Sequence, residues 1–561
     1  MSHVTFRRHW PRVRIRATVE AVKPLSIVTV VCGAALVAGI VWVLGPGARW
    51  VLENVDGVPI GGPTGLAGKD LAAALDAIRG RVLAVATGLA ALIAVYYTAR
   101  NADTARRTFQ LGERGHVTDR YGKAVEQLGS AQAPVRLGGL HALEQLAQDN
   151  ADPEFRQTIV DVICAYLRMP YAPPDETDQD DQPAAPRATV DGASVQAERD
   201  PREERQVRLT AQRILADHLR WEPPPARRWW QLRHHPDLDL RHWPGIRLDL
   251  TGATLIDFSL ANCRVGTSRF DGAHFRGRAS FDRASFTGGA SFDHATFTGG
   301  IWFEGGSFGG DTSFRRSSFG GAAWFKDVTF DGGAWFDGVT FGGGVRFEGG
   351  CFGGDTSFRR SSVIGGAWFD GASFGGGAWF DGVTFDGDAS FVSATFTGNA
   401  WFKGAVFKGR TWFEGASFTG DALFKNASFG GGVWFARGSF GGDATFRRVS
   451  FGGGARFDGA SLGGGAWFDG ASFADDAVFS EVSFNRGASF SHVSFSGAAC
   501  FAGATGLERA DLAGARTAPF DEGVRRQWPA CWRVAAGEDG WQTLHLAGRR
   551  DGHGWSGEGK Q

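Results

Sequence analysis

The sequence contains little methionine, little tyrosine and almost no net charge, and each shortage excludes a class of protein. Two methionines and five tyrosines among 561 residues are too few for a globular core of ordinary mixed composition. A formal net charge of -1 excludes a chain that is polybasic or strongly acidic as a whole. The six cysteines stand far apart without a Cys-x-x-Cys pair, so neither a disulfide framework nor a zinc site is expected.

Glycine and phenylalanine are abundant, at 83 and 46 residues, and phenylalanine is strictly periodic. From Phe270 to Phe501 its spacing alternates between five and six, which gives an 11-residue repeat interrupted only by Val363 and Leu462. A small or β-branched residue stands two positions before nearly every phenylalanine and points to the same side of a strand. The pattern predicts short strands that stack as a solenoid. The predicted structural core begins with Phe270, Phe275, Phe281, Phe286, Phe292, Phe297, Phe303 and Phe308.

Upstream of the 11-residue repeat, apolar residues recur every five positions. The segments Ala253–Asp257 (ATLID) and Ala510–Gly514 (ADLAG) resemble the motif of the pentapeptide-repeat family, and the resemblance covers roughly residues 248–516. It implies a right-handed quadrilateral β-helix with four repeats per coil. Two 11-residue units then form a 22-residue coil, and a thin two-sided solenoid with one unit per coil is the alternative. The fold class expected is mainly β, preceded by two transmembrane helices and a small helical segment.

Two uncharged runs near the amino terminus predict membrane spans. Pro24–Ala48 has 25 uncharged residues and Val82–Ala99 has 18, lengths that reach across a hydrocarbon layer. A buried pair of soluble helices and a cleaved secretory signal are the alternatives. Arginines precede the first run and follow the second, so the positive-inside rule predicts a plasma-membrane protein with both termini in the cytoplasm. Asp119–Gly129 and Val135–Glu144 are similar to segments of actinobacterial-type membrane proteins that combine two spans with a pentapeptide array.

The remaining regions differ in composition. The segment 170–205 contains six prolines and ten acidic residues, which is typical of a disordered linker. An amphipathic helix of about Val207–Leu219 is expected to cap the first coil, and the chain then leads through Trp229, Trp230 and Trp243 into the repeats. Trp528 and Trp532 are expected to cap the last coil. The expected domains are a basic cytoplasmic amino terminus (1–23), a two-helix transmembrane hairpin (24–99), a small helical segment (100–169), the acidic linker (170–205), a capping helix and connector (206–247), the pentapeptide β-helix (248–518) and a carboxyl-terminal cap with a flexible tail (519–561).

Two sets of outward-facing residues are candidates for a partner-binding surface. Nine tryptophans each directly precede a phenylalanine of the repeat and are predicted to face outward on two opposite sides: Trp302, Trp324, Trp335, Trp368, Trp379, Trp401, Trp412, Trp434 and Trp467. Structural stacking over glycine corners is the alternative role for them. The residue that follows the phenylalanine on alternate repeats forms a mostly acidic column of Asp282, Glu304, Glu348, Asp370, Glu414 and Asp458.

Nothing in the pattern indicates chemistry. The three Gly-x-Ser-x-Gly matches, at 305–309, 371–375 and 459–463, are by-products of the repeat, and no enzyme, cofactor or metal is expected. The expected function is a membrane-anchored scaffold that binds an unknown protein, with a homo-oligomer left open. A DNA mimic that binds a type II topoisomerase is one alternative, although 22 acidic against 18 basic residues between Phe270 and Phe501 is a small excess. A cell-surface rod that binds polymer through its tryptophans is the other. A nucleic-acid partner is not expected.

Overall fold

The computed structural model describes residues 23–61, 65, 66, 68–174, 200–221, 242–519, 524–537 and 540–547. Within it the chain divides into two compact units, residues 1–117 and 118–561, and the boundary falls inside a long helix. The acidic segment from 175 to 199, together with Trp229 and Trp230 of the predicted cap, lies outside the described residues.

The first unit is helical. It contains α1 (Lys23–Leu44), α2 (Gly47–Asn54) and the first part of α3 (Lys69–Leu128). α2 packs Ala48 and Leu52 against Leu75 and Ile78 of α3, so part of the connection between the two apolar runs is folded and not a simple linker. Apolar burial of this kind stabilises a loop that would otherwise be mobile.

The apolar helices differ in detail from the predicted spans. The stretch Lys69–Thr104 of α3 is long and apolar enough to cross a membrane, and none of its most apolar window is buried in the structure. The pair Gly33–Leu44 and Gly47–Asn54 is bent by 81° and supplies a second span only if both helices act as one. The predicted first span, 24–48, is therefore interrupted after Leu44, and the second, 82–99, is the middle of a much longer helix.

Three helices form the start of the second unit: α4 (Ala133–Asp149), α5 (Pro153–Arg168) and α6 (Pro201–Leu219). α5 and α6 both begin with proline after an aspartate whose carboxylate accepts a backbone N–H, an arrangement that satisfies orphan donors of the first turn. α6 starts six residues earlier than the predicted helix and includes residues 201–205 of the predicted linker. α3 continues without a break to Leu128 and so includes the first part of the predicted small helical segment.

These helices cover the open end of the solenoid. The side-chain amide of Gln212 on α6 pairs with both backbone groups of Ile256 in the first coil. On α5, Gln157 makes the same two-way pairing with the backbone of Arg247. Such bonds satisfy the strand edge that a first coil leaves exposed. The cap is thus built by α5 as well as by α6, whereas the sequence pattern indicated α6 alone.

The solenoid has four parallel sheets, which we number by the order in which the chain visits them. Almost every strand is two residues long and recurs every 22 residues. Sheet I runs from Leu248–Asp249 and Ser268–Arg269 to Ala488–Ser489, sheet II from Thr254–Ile256 and His274–Arg276 to Ser494–Phe495, sheet III from Ala279–Ser280 to Ala499–Cys500, and sheet IV from Arg264–Val265 and Ser285–Phe286 to Ser483–Phe484. Sheets I and III lie on opposite sides, because the chain passes through II or IV between them.

The strand register confirms the four-sided 22-residue coil. Leu248 pairs with Ser268, a step of 20 residues, whereas Ile301 pairs with Ala323, a step of 22. The step changes from 20 to 22 within the first coils, where the spacing of the sequence changes from five to the alternation of five and six. The two-sided solenoid with one 11-residue unit per coil is therefore wrong.

Phenylalanine fills the interior of every coil. Phe292 and Phe314, one coil apart, stack with ring centroids 4.7 Å apart and planes at 2°. Phe292 also meets Phe303 of the same coil edge-on, at 87°. Both arrangements suit the ring quadrupole, so each phenylalanine gains contacts along and across the rod. All eight phenylalanines of the predicted structural core are buried, with at most 1% of their surface exposed.

The last coil is closed by a hairpin. Strands Trp532–Ala536 and Gln542–Leu546 pair antiparallel and extend sheet II. Trp532 is buried and lies against Phe490 and Phe501, while Trp528 lies against Phe495. These rings cover the phenylalanines that would otherwise be exposed at the end of the stack.

Candidate interaction surfaces

The nine tryptophans lie on two opposite sides of the solenoid. Sheet III carries Trp302, Trp324, Trp368, Trp412 and Trp434, and sheet I carries Trp335, Trp379, Trp401 and Trp467. All nine are half-buried, so they are less exposed than the outward position alone indicates.

The indoles are half-buried because they lie over the glycine corners. A Cβ atom at Gly377 would stand 2.7 Å from the ring of Trp379 and 3.0 Å from that of Trp401. A Cβ atom at Gly465 would likewise stand 2.9 Å from Trp467. A side chain at these two corners would displace the indole, whereas Asn399 and Arg410 occupy the equivalent position before Trp401 and Trp412. The indoles thus give structural support as well as exposed surface.

Several indoles also stack on one another along a sheet. Trp379 and Trp401 are parallel within 2° at a centroid distance of 4.8 Å, and Trp302 and Trp324 are parallel within 7° at 4.7 Å. Because each stacked face is covered by its neighbour, such pairs present mainly ring edges to the solvent. This arrangement rigidifies two successive coils.

Arginines lie over several of the same indoles. On sheet I, Arg359 lies over Trp379 of the next coil at 4.8 Å and pairs with the carboxylate of Asp381 at 3.7 Å. The same three-residue clamp recurs in Arg315, Trp335 and Asp337 and in Arg447, Trp467 and Asp469. Each clamp joins two coils through a cation–π contact and an ion pair.

The acidic column is largely engaged within the rod. Glu348, Glu414 and Asp458 form ion pairs with Arg346, Arg437 and Arg456. The carboxylates of Asp282 and Asp370 accept backbone N–H groups of the following coil, from Glu304 and Val392. Five of the six carboxylates of the column thus have a hydrogen bond or an ion pair in the structure, and Glu304 is the exception. The column is consequently a weaker anionic surface than its sequence indicates.

A basic edge is the less obvious charged feature. It lies at the corner between sheets I and II and consists of Arg315, Arg316, Arg359, Arg360, Lys403, Lys425, Arg447 and Arg448. From Arg315 to Gly470 the two residues that follow each sheet I phenylalanine include these eight basic side chains and three acidic ones, Asp337, Asp381 and Asp469. The three acidic side chains are all held in the clamps.

The second arginine of each pair adopts an unusual backbone conformation. Arg316, Arg360 and Arg448 have φ values of 56°, 55° and 56°, in the left-handed region. Gly338 and Gly382 occupy the same corner in adjacent coils, at 66° and 65°. An arginine there costs on the order of 1 kcal/mol relative to an unstrained conformation.

Two features of the described residues bear on catalysis and metal binding. No group of three or more His, Cys, Asp or Glu side chains that could hold a metal ion occurs in the described part of the chain. Ser307, Ser373 and Ser461 of the three Gly-x-Ser-x-Gly matches lie in strands of sheet IV and not at a strand-to-helix turn.

The capping helices contain a buried ionic cluster that the sequence analysis did not identify. Glu204 pairs with Arg136 at 3.1 Å and with Arg208 at 2.9 Å, and all three side chains are nearly inaccessible. The hydroxyl of Tyr166 donates to Glu204, and burial raises the pKa of Tyr166 to about 12. A cluster of this kind fixes the relative placement of α4, α5 and α6.

The fold and its side surfaces define a four-sided parallel β-solenoid with helical and hairpin caps. Its family is shown by sequence: residues 260–483 match the family model described as pentapeptide repeats, in nine copies. This part of the chain belongs to the pentapeptide-repeat family. No curated protein and no solved structure matches the chain. The matched windows include 260–307, 270–318, 303–350, 351–395, 369–417, 391–439, 413–461 and 439–483.

Proposed function

We propose that the protein is a membrane-anchored, non-enzymatic scaffold that binds a protein partner through sheets I and III of its solenoid. The observation that carries the proposal is the presence of ordered tryptophan and arginine side chains on two opposite sides of a rigid rod. Tryptophan and arginine are the side chains most enriched in the energetic centres of protein interfaces. Because stacking and clamping fix them before binding, little side-chain entropy is lost when a partner docks.

The anchor in this proposal is the apolar part of α3, with α1 and α2 as a second span. Its support is the length and composition of Lys69–Thr104 and the exposure of large apolar residues such as Leu83, Val85 and Leu92. An exposed apolar helix is stable in a lipid environment and unfavourable in water. The arginines on both flanks support a cytoplasmic location for both termini.

The two alternative functions have less support. A DNA mimic needs a continuous anionic surface, whereas most carboxylates of the acidic column are neutralised by arginines or bonded to backbone N–H groups. A polymer-binding rod needs exposed indole faces for sugars to stack on, whereas the faces of Trp379 and Trp401 cover each other.

A substitution of three tryptophans on one side tests the scaffold. We expect the full-length variant Trp302→Ser, Trp324→Ser and Trp368→Ser to remain folded in membranes and to lose at least tenfold in crosslinked partner. The matched control replaces Thr340, Thr384 and Thr395 with alanine. These residues lie on sheets II and IV, so the control should still bind the partner. Loss of folding together with capture would assign the tryptophans to stability alone, and unchanged capture would contradict the proposal.

Location is tested separately. A reporter that is active only in the cytoplasm, fused after Gln561 of the intact chain, should give a signal. A signal from an external reporter instead would overturn the intracellular scaffold and favour the polymer-binding rod.

A further inference from the structure

The basic edge contains charges that the fold itself does not use. Arg315, Arg359 and Arg447 are held in clamps, but their neighbours Arg316, Arg360 and Arg448 are exposed and have no side-chain bond to any described residue. Lys403 and Lys425 on the same edge are likewise exposed and unpaired in the described part of the chain. A row of unpaired cations on a rigid support is suited to an anionic ligand.

The backbone conformation at these positions does not require arginine. Arg316, Arg360 and Arg448 adopt a left-handed conformation in which side-chain-bearing residues are strained, while Gly338 and Gly382 fill the same corner without strain. The stem of Arg360 only approaches the position of a Cβ atom at Gly382, to 3.9 Å. Ser393 and Asn426 adopt the same conformation at other corners, so the turn does not require arginine.

The spacing of the row is regular. Arg316, Arg360 and Arg448 occupy the second corner position of their coils, whereas Lys403 occupies the first position of the coil midway between those of Arg360 and Arg448. The four cations therefore lie on every second coil, because each coil has 22 residues. Rings one coil apart on this side of the rod, Phe314 with Phe336 and Phe336 with Phe358, are separated by 5.0 and 4.7 Å. Two coils therefore separate the backbone positions of neighbouring cations by roughly 9.6 Å along the rod.

This spacing selects among anionic ligands. A polyproline II helix has three residues per turn and rises ~3.1 Å per residue, so carboxylates at every third residue stand ~9.3 Å apart on one side. A strand of B-DNA winds once round its axis in ~34 Å, so only one or two of its phosphates could contact a row that runs along one side of the rod. Guanidinium groups also bind carboxylates through paired hydrogen bonds.

We propose that the basic edge binds an extended acidic segment of a partner protein, with carboxylates at every third residue in a polyproline II conformation. The proposal deepens the scaffold function and rests on it, but it assigns a different surface from the tryptophans of sheets I and III. The side chains that contact the segment are Arg316, Arg360, Lys403 and Arg448, one for each turn of the ligand.

Two synthetic peptides test the spacing. The probe is a fluorescent peptide of four Asp-Pro-Pro units. The control peptide has four Asp-Pro units followed by four prolines. Its composition is the same, but its carboxylates occur at every second residue. Binding to the full-length protein in nanodiscs is measured by fluorescence anisotropy. We expect the probe to bind at least tenfold more tightly than the control and to weaken as salt is raised.

A triple variant tests whether the arginines of the basic edge bind the probe. Arg316→Gly, Arg360→Gly and Arg448→Gly together place at the three corners the residue that adjacent coils already have, so folding should be preserved. We expect the variant to lose at least tenfold in affinity for the probe, and the tryptophan variant described above to bind it normally. Equal affinity for both peptides, or probe binding that survives the three substitutions, would overturn the proposal. Tighter binding of single-stranded DNA or of vesicles with anionic lipid than of the probe would overturn it as well.

Failure of the scaffold proposal can be distinguished from failure of the acidic-ligand proposal. If the probe binds as predicted but the tryptophan variant still captures its partner, the tryptophan surfaces are wrong and the basic edge stands. If the tryptophan variant loses its partner and the probe does not bind, the scaffold stands and the acidic ligand is wrong.

Discussion

Arg359 lies over the indole of Trp379 in the following coil, with its guanidinium carbon 4.8 Å from the ring centroid. The contact links residues 20 positions apart and repeats at Arg315 with Trp335 and at Arg447 with Trp467. It joins neighbouring coils on the outside of the rod, where backbone hydrogen bonds already join them. The first arginine of each pair is thus a structural residue, while the second is left to the solvent.

The stacked indoles should contribute more to stability than an isolated one. Trp379→Ser removes the parallel stack with Trp401, whereas Trp467 has Thr445 and Ser489 as its strand neighbours. We expect Trp379→Ser to lower the free energy of unfolding by about 0.5 to 1.5 kcal/mol more than Trp467→Ser. Chemical denaturation followed by circular dichroism measures the difference, and equal losses would show that stacking adds nothing.

Corner glycines should differ in their tolerance of alanine. A Cβ atom at Gly376 would stand 2.7 Å from backbone atoms of Gly354, which cannot move without shifting the coil. We expect Gly376→Ala to cost about 2 to 3 kcal/mol because of this overlap. Gly371, at φ of 66°, has open space around its Cβ position, so Gly371→Ala should cost only about 1 kcal/mol from strain.

Thermal unfolding of both variants checks this prediction. A larger loss at Gly371 than at Gly376 would contradict the close packing of neighbouring corners.

The helical cap should lose stability in acid through Glu144. Burial by itself raises the pKa of Glu144, but hydrogen bonds from His218 and His141 lower it more, so the folded pKa lies below the ordinary 4.5. A carboxyl with a lowered folded pKa stabilises the fold above its ordinary pKa, and this contribution is lost as the pH falls through the folded value. The side chain of Glu144 is 24% exposed, so we expect a contribution of only about 1 kcal/mol.

The control for this effect is Glu144→Gln. The difference in the free energy of unfolding between the native chain and the variant should be present at pH 5 and should shrink as the pH falls below 4.5. A difference that persists unchanged to pH 3 would contradict the role of the carboxylate.

The cysteines should differ sharply in reactivity. Burial raises the pKa of Cys164 and of Cys263 to about 12, whereas Cys351 is exposed on sheet IV. We expect iodoacetamide at pH 8 to modify Cys351 within minutes and the other two only after denaturation. Peptide mass spectrometry locates the label, and rapid labelling of Cys164 in the native protein would contradict the packing of α5 against the first coil.

The 22-residue coil could be predicted from the sequence because a period is a local property. The spacing of Phe292, Phe303 and Phe314 gives the 11-residue unit. The five-residue spacing upstream, which resembles the four-sided family, favours two such units in each coil. The role of α5 in the cap could not be predicted, because its contacts are single polar bonds such as that from Gln157 to Arg247, which leave no periodic trace.

The charged surfaces were predicted less well, for a physical reason. A count of charges does not show which charges are paired: Glu414 finds its partner in Arg437, 23 residues later. The pairing of the acidic column was therefore not predicted, and the unpaired Arg316 and Arg360 were not singled out. A repeat of adjacent arginines 44 residues apart, at 315 and 359, was the available signal.

Photocrosslinking from the sides of the rod tests the account most directly. The full-length protein in its membrane carries a photoreactive residue at one of two positions. One replaces Arg346, which lies on sheet III between Trp324 and Trp368, and the other replaces Ser439 on sheet IV. If sheet III binds a partner, a discrete crosslinked product should form from position 346 and not from position 439. Products of equal yield from both positions, or none from position 346, would contradict a scaffold that works through its tryptophan-bearing sides.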